Sequence, residues 1–320
     1  MTMNTRPLTL IGMLFVIAAS ATAQKAGQTT SAGREYRLQA LYRAGVAQSY
    51  TVTENTVATR THSDSSTKTY SRDVTYYTTI RCIESNEGQA TIVVNLDSLT
   101  YRFSSTDKTV EYDSQKDITP KNFADLNNYI GPLNRPFEMS VTPYGEVTTL
   151  KGEQVEFWRD YLTENKNDLD SVIYMIWMQS LDRENLLQYG DLQKRTIPGR
   201  RFAVDSSWKH RMQLRLDGVV FADTVSTTFK EYSGGLYKIV CTDTMSAAPQ
   251  PIHVYGIPYI SNLQEGEAVL DHTVELSSTG TINEVTSKVA SWFRASVLNE
   301  IFTQNVTTTT SWKLTGQFQW

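Results

Sequence analysis

Residue types that do chemistry are scarce in this chain. The four histidines, His62, His210, His253 and His272, stand singly, with no pair at the i, i+2 or i, i+4 spacing of a metal site. Neither of the two cysteines, Cys82 and Cys241, has a sequence neighbour that would activate it as a nucleophile. No G-x-S-x-G elbow, phosphate-binding loop, G-x-G-x-x-G turn after a strand or H-E-x-x-H helix occurs. These absences predict a protein that is not an enzyme, with no catalytic residues, no metal and no cofactor. A basic excess is lacking too. Against 30 lysines and arginines stand 34 aspartates and glutamates, which argues against a nucleic-acid partner, because a basic stripe supplies most of such affinity. Beyond Ala23 no apolar run reaches the roughly 20 residues that cross a bilayer as a helix, so no transmembrane span is expected in the mature chain.

What is present begins with an export pattern. Arg6 supplies a positive start, Leu8 to Ala19 an apolar core, and Ala21-Thr22-Ala23 fits the small-x-small cleavage rule. Residues 1–23 are expected to be a signal peptide, and 24–35, small and polar, a disordered leader. No cysteine follows the apolar core, so an N-terminal lipid anchor is not expected. The mature protein is expected in a periplasm or outside the cell. There Cys82 and Cys241 can bridge, closing a very long loop worth roughly 4–5 kcal/mol. Both sit in strand-like runs where buried thiols serve equally well, and the pairing stays open.

Most of the mature chain reads as strand. Tyr36, Leu38, Ala40 and Tyr42 alternate, as do Val74, Tyr76, Thr78, Ile80 and Cys82, and later Ala268, Leu270, His272, Val274 and Leu276. The most two-sided run sets Trp208, His210, Met212, Leu214 and Leu216 against Lys209, Arg211, Gln213 and Arg215. Lying on apolar rows, His210 and His272 read as core or rim histidines rather than ligands. Two β-meanders, 36–150 and 191–320, are expected to flank a helical block, 151–190, with 36–320 forming one compact unit. Asp160, Glu164 and Asp168, four apart, read as a solvated helix face. Lys194, Arg195, Arg200 and Arg201 bracket the Pro198-Gly199 loop and read as ordinary loop charge.

The helical block organises the rest. Trp158, Leu162, Leu169, Val172, Ile173 and Ile176 recur near helical steps. Phe157, Tyr161, Tyr174, Met175, Trp177 and Met178 then leave Val172 to Met178 without a polar face, and such a helix must be enclosed. Asp168 or Asp170 is placed to cap its second helix. The expected fold is α+β, mainly antiparallel β: a curved sheet or open half-barrel of two related meanders cupping the helical segment. Trp158, Tyr161, Leu169, Ile173, Ile176, Trp177 and Met178 are then either simple core or the wall of an apolar cavity, with Met175 and Met178 as adaptable surface.

Two parts of the chain match one another. Val141-Thr142-Pro143-Tyr144-Gly145-Glu146-Val147 lines up with Leu276-Ser277-Ser278-Thr279-Gly280-Thr281-Ile282, and Phe137 and Met139 with His272 and Val274. Upstream, Thr78-Thr79-Ile80-Arg81 aligns with Thr227-Thr228-Phe229-Lys230, and Ile92-Val93-Val94 with Ile239-Val240-Cys241. This reads as a duplication, roughly Tyr36 to Leu150 and Pro198 to Thr286.

Taken in order, an export signal, a Tyr/Thr-rich meander, the Pro143-Tyr144-Gly145-Glu146-Val147 hairpin, an apolar helical block, a Pro loop into Asp205-Ser206-Ser207-Trp208 and a Ser278-Thr279-Gly280 hairpin resemble a domain-of-unknown-function family of exported bacterial β-rich proteins. The small glycine usual before the Ser-Trp pair is Asp205 here. The resemblance implies fold and compartment, not an activity. The architecture is also similar to the periplasmic lipoprotein-carrier fold. The functional expectation is an envelope protein that binds or carries an apolar molecule such as a lipid in a sheet/helix cavity. The alternative is a structural or interaction module contacting envelope protein or glycan.

Overall fold

The computed structural model describes residues 34–39, 41–121, 123–189 and 200–320. The expected signal peptide, most of the expected leader, and Lys194, Arg195, Pro198 and Gly199 lie outside the described residues. Most of the alternating rows become strands, whereas the Tyr36, Leu38, Ala40, Tyr42 row is strand only at Tyr36–Arg37, with Leu38 and Tyr42 outside it and Ala40 outside the described residues. The strands are β1 (Tyr36–Arg37), β2 (Val46–His62), β3 (Thr67–Ser85), β4 (Ala90–Ser105), β5 (Thr109–Asp113), β6 (Phe137–Val141), β7 (Val147–Lys151), β8 (Arg201–Phe202), β9 (Ser207–Leu216), β10 (Val219–Ser233), β11 (Leu236–Ala247), β12 (Pro251–Ile252), β13 (Ser261–Ser277), β14 (Ile282–Val297) and β15 (Glu300–Gln319). Four α-helices are described, α1 (Ala124–Ile130), α2 (Glu153–Glu164), α3 (Ser171–Ser180) and α4 (Arg183–Tyr189).

All strands but β1 and β8 join one 13-stranded sheet, ordered β7-β6-β4-β3-β2-β15-β14-β13-β11-β10-β9, with β5 beside β4 and β12 beside β13. The sheet is antiparallel, curved and open. β15 is the seam: it pairs with β14 on one side and β2 on the other, making the two meanders continuous. Alternation decides which face is inside. Along β14 every second residue from Val285 to Val297 is buried, and Tyr50, Phe103, Phe137, Phe221, Phe229, Phe293, Phe302 and Trp312 fill the core.

The duplication is visible in the hydrogen bonds. Thr142 Oγ1 accepts from the N–H groups of Tyr144 and Glu146, and Ser277 Oγ from those of Thr279 and Thr281. The left-handed glycines of the two turns have φ of 80° at Gly145 and 79° at Gly280. Bulges fall at equivalent places, between Ser140 and Val141 and between Glu275 and Leu276. One detail of the sequence alignment shifts. Ile80 pairs with Val94 while Thr227 pairs with Cys241, and Cys82 with Ile92 while Phe229 pairs with Ile239, so Ile80 corresponds to Thr227 rather than to Phe229. Matching Thr-Thr pairs masked a displacement of two residues, which period-two alternation cannot detect.

The helical block connects the two edge strands, β7 and β9. Consecutive residues tie it to both: the Asp182 carboxylate accepts from Arg215 on β9, and Arg183 Nη2 donates 2.9 Å to the Val147 carbonyl on β7. Asp170 caps α3, its Oδ1 accepting from the N–H groups of Val172 and Ile173 at 2.9 and 3.1 Å. Gly131, just past α1, permits close packing on α3, since a Cβ there would stand 2.1 Å from Ser180 Oγ. The expectation that α3 is enclosed all round is corrected. Val172 and Ile176 are buried, but Ile173, Tyr174, Met175, Trp177 and Met178 are half-buried, because a helix linking two unpaired edges keeps one face toward solvent.

The cysteine pairing left open by the sequence does not form. Cys82 and Cys241 are free and buried on β3 and β11, with β2, β15, β14 and β13 between them in the sheet.

Candidate functional site

Several positions on the inner face carry polar or charged residues where alternation calls for apolar ones. Glu54 and Arg60 on β2, Arg72 on β3 and Gln304 on β15 share the parity of Val52, Ala58, Val74 and Val306. They converge. Arg72 Nη1 lies 2.9 Å from Asp125 Oδ1 on α1 and 3.5 Å from Asp217 Oδ1, and Nη2 lies 3.7 Å from Glu54 Oε1. Tyrosine hydroxyls complete the acids: Tyr101 donates to Asp125 at 2.5 Å, Tyr129 to Glu54 at 2.7 Å and Tyr70 to Asp217 at 2.6 Å. Gln304 also donates to Asp217 and accepts from Arg60 Nε at 3.0 Å, while Arg60 Nη2 reaches the Tyr255 carbonyl at 2.5 Å.

The β9–β10 turn delivers Asp217 to this centre. Asp217 and Gly218 have φ of 50° and 82°, the paired left-handed conformation of a two-residue hairpin. A Cβ on Gly218 would meet the His253 carbonyl at 2.6 Å. Burial alone would lower the Arg72 pKa, but Asp125, Tyr129, Asp217 and Glu54 hold it well above the ordinary guanidinium value. Burial pushes the Tyr70, Tyr101 and Tyr129 hydroxyls up, keeping them neutral donors. Desolvation lowers His253 beside this network. The acids pair with the two Nη atoms of the Arg72 guanidinium; a buried charge is tolerated only when paired.

Two cavities flank α3. The inner one, 120 Å³, is of mixed character, with Arg72, Tyr129, Arg215 and Ser287 in its lining beside Leu214 and Trp312. The other, 370 Å³, is an apolar cleft walled by Leu169, Tyr174, Met175, Met178 and Ile260, with Lys166 at its side.

Of the seven residues expected to form an apolar wall, Leu169 and Met178 line this cleft. Trp158 and Trp177 stack with centroids 6.5 Å apart, Tyr161 sits edge-on to Trp158 at 5.5 Å, and the Arg135 guanidinium lies 4.8 Å from the Trp158 ring centre. That aromatic group lies partly at the surface, with Tyr161 46% and neighbouring Phe157 63% exposed. Ile176 is buried and Ile173 half-buried. Sequence reasoning missed Ile260, which arrives from a distant loop and carried no local signal. It also missed the Arg72 network, whose signal, charge on an inward parity, was available.

No curated protein matches the sequence. Among solved structures, one described as lipid–protein interactions in lipovitellin aligns with a TM-score of 0.45 at 11% identity, over 87% of this chain and 26% of that one. The chain thus spans about a quarter of the lipovitellin chain. An outer membrane channel from Pseudomonas putida aligns with a TM-score of 0.27 at 8% identity, over 87% of this chain and 97% of the channel. Scores this low carry no functional argument. A family model described as a family of unknown function, DUF6263, matches residues 87–284, more than half of the sequence, and the chain belongs to that family.

Proposed function

We propose that this is an exported envelope protein that holds an apolar molecule, a lipid or lipid-like ligand, in the cleft beside α3 and catalyses no reaction. The observation that carries the reading is the 370 Å³ cleft walled by Leu169, Tyr174, Met175, Met178 and Ile260, within the roughly 300–1,000 Å³ of small-molecule pockets. Thioether side chains reshape at little cost, which suits chains of varied length. Export rests on the Arg6, Leu8 to Ala19 and Ala21-Thr22-Ala23 pattern, and the non-enzymatic reading on the missing catalytic motifs.

Native mass spectrometry and organic extraction of protein purified from its own host test this. An apolar species bound to the wild type and depleted in Met178→Asp is the expected result; ligand-free protein in both would overturn it. Cell fractionation tests the compartment, where an unprocessed, cytoplasmic chain would contradict export.

A second reading, an interaction module, is favoured by the face opposite the core. Thr100, Thr75, Thr53, Ser311, Thr286 and Thr273 stand in register across adjacent strands, a hydroxyl row suited to glycan or protein contact. Pull-down from envelope extracts discriminates: this reading expects a stable partner lost in Thr53→Lys/Ser311→Lys, and the ligand-carrier reading does not.

A further inference from the structure

The inner cavity offers acceptors in a row. Ser287 on β14, Thr310 on β15 and Glu54 on β2 stand opposite one another in register, so three consecutive strands bring two hydroxyls and a carboxylate to its lining. Glu54 Oε1 accepts from the Tyr129 hydroxyl at 2.7 Å and lies 3.7 Å from Arg72 Nη2. Its Oε2 and the hydroxyls of Ser287 and Thr310 make no hydrogen bond among the described residues. Polar atoms withdrawn from bulk water in this way are normally paired.

Charge points to the same kind of ligand. Glu54, Asp125, Asp182 and Asp217 outnumber Arg72 and Arg215 around the cavity, and still do when Arg60, bonded to Gln304, is counted with them. Arg215 is matched by Asp182, and Arg72 by Asp125 and Asp217. The Glu54 carboxylate is left with the longest ion pair of this group. Beside the polar row stand Tyr76 and Trp312, ring centres 6.2 Å apart, an apolar wall for methylene groups. Size sets a limit: 120 Å³ is about four waters' share of liquid volume, room for a short head group and not for a sugar ring.

We propose that the cavity binds an aliphatic ammonium group whose N–H bonds donate to Glu54 Oε2, Thr310 Oγ1 and Ser287 Oγ. A primary ammonium carries three donors and no acceptor, which matches three acceptors in a row. Its charge offsets that of Glu54, so neither is buried unpaired. Gln179 lines both this cavity and the apolar cleft, so the group arrives either as a free small amine or as the head of an amphiphile whose tail occupies the cleft. Only the second source rests on the proposed function.

Calorimetric titration of the full chain with ethylammonium, tetramethylammonium and dodecylammonium chlorides at low ionic strength provides the test. The variants are Glu54→Gln, which removes the charge and keeps an acceptor for Tyr129, and Thr310→Val, which removes one hydroxyl at nearly constant shape. Saturable ethylammonium binding, weakened roughly tenfold or more in both variants, is expected. Tetramethylammonium, with no N–H to donate, is expected to bind more weakly by a similar factor. Dodecylammonium binding more tightly than ethylammonium and losing that advantage in Met178→Asn identifies an amphiphile head; equal affinities untouched by Met178→Asn identify a free amine. No saturable ethylammonium binding to the wild type, tetramethylammonium binding as tightly, or unchanged affinity in the folded variants would overturn the site. An uncharged apolar probe that still binds the wild type and not Met178→Asn would then leave the cleft reading standing while the ammonium site fails.

Discussion

Asp217 makes a local conformation serve a distant contact: held at φ of 50° in a hairpin turn, it reaches Tyr70, Arg72 and Gln304 on two other strands. Asp217→Asn keeps a residue tolerant of that conformation and removes one of the charges facing Arg72. Losing one partner of a buried ion pair is expected to cost about 3 kcal/mol, read as a lower urea midpoint at constant slope. His253 supplies a pH signature. Its pKa is depressed from the ordinary 6.5, chiefly by burial, so the neutral form is favoured in the fold. The associated stability is present above pH 6.5 and lost as pH falls through the depressed pKa. The melting temperature of the wild type should fall on acidification through that window, and His253→Gln should flatten the fall. Burial pushes the Cys82 and Cys241 thiols up to about 11. Both are expected to resist alkylation in the native state near neutral pH and to label fully once unfolded without reductant; a disulfide found there would contradict the separation of β3 and β11.

At the scale of elements, α1 and α3 meet where Gly131 faces Ser180. Gly131→Ala would force its Cβ against Ser180 Oγ and Cβ, an overpacking expected to cost about 1–3 kcal/mol and to be partly relieved by Ser180→Gly. Denaturant unfolding of the single and double variants checks this. The helices, the Asp170 cap and most strands were legible in the sequence, because apolar period and capping chemistry are local. How the helical block sits was not. Its apolar run implied full enclosure, yet Arg183 and Asp182 fasten it across two sheet edges, and which edges those are depends on pairing between strands far apart in sequence. The cleft was half legible for the same reason: Leu169 and Met178 lie in the block, while Ile260 comes from a connection beyond β12.

For the whole molecule, the two related meanders form one sheet because β15 supplies a shared neighbour for β14 and β2. The duplication could be read from the Gly145 and Gly280 turns, where the same hydroxyl-to-amide bonds recur, but the seam strand has no counterpart in the first meander and no signature in the pattern. The first repeat ends at one edge of the sheet and the second begins at the other, so the intervening helical block bridges the open side instead of a closing strand pair. That arrangement leaves the apolar cleft accessible beside α3. Fluorescence titration of the purified full chain with an uncharged apolar probe tests it most directly. The account predicts saturable binding to the wild type, abolished by Met178→Asp in a variant of unchanged melting temperature; no saturable binding, or binding indifferent to Met178→Asp, would contradict it.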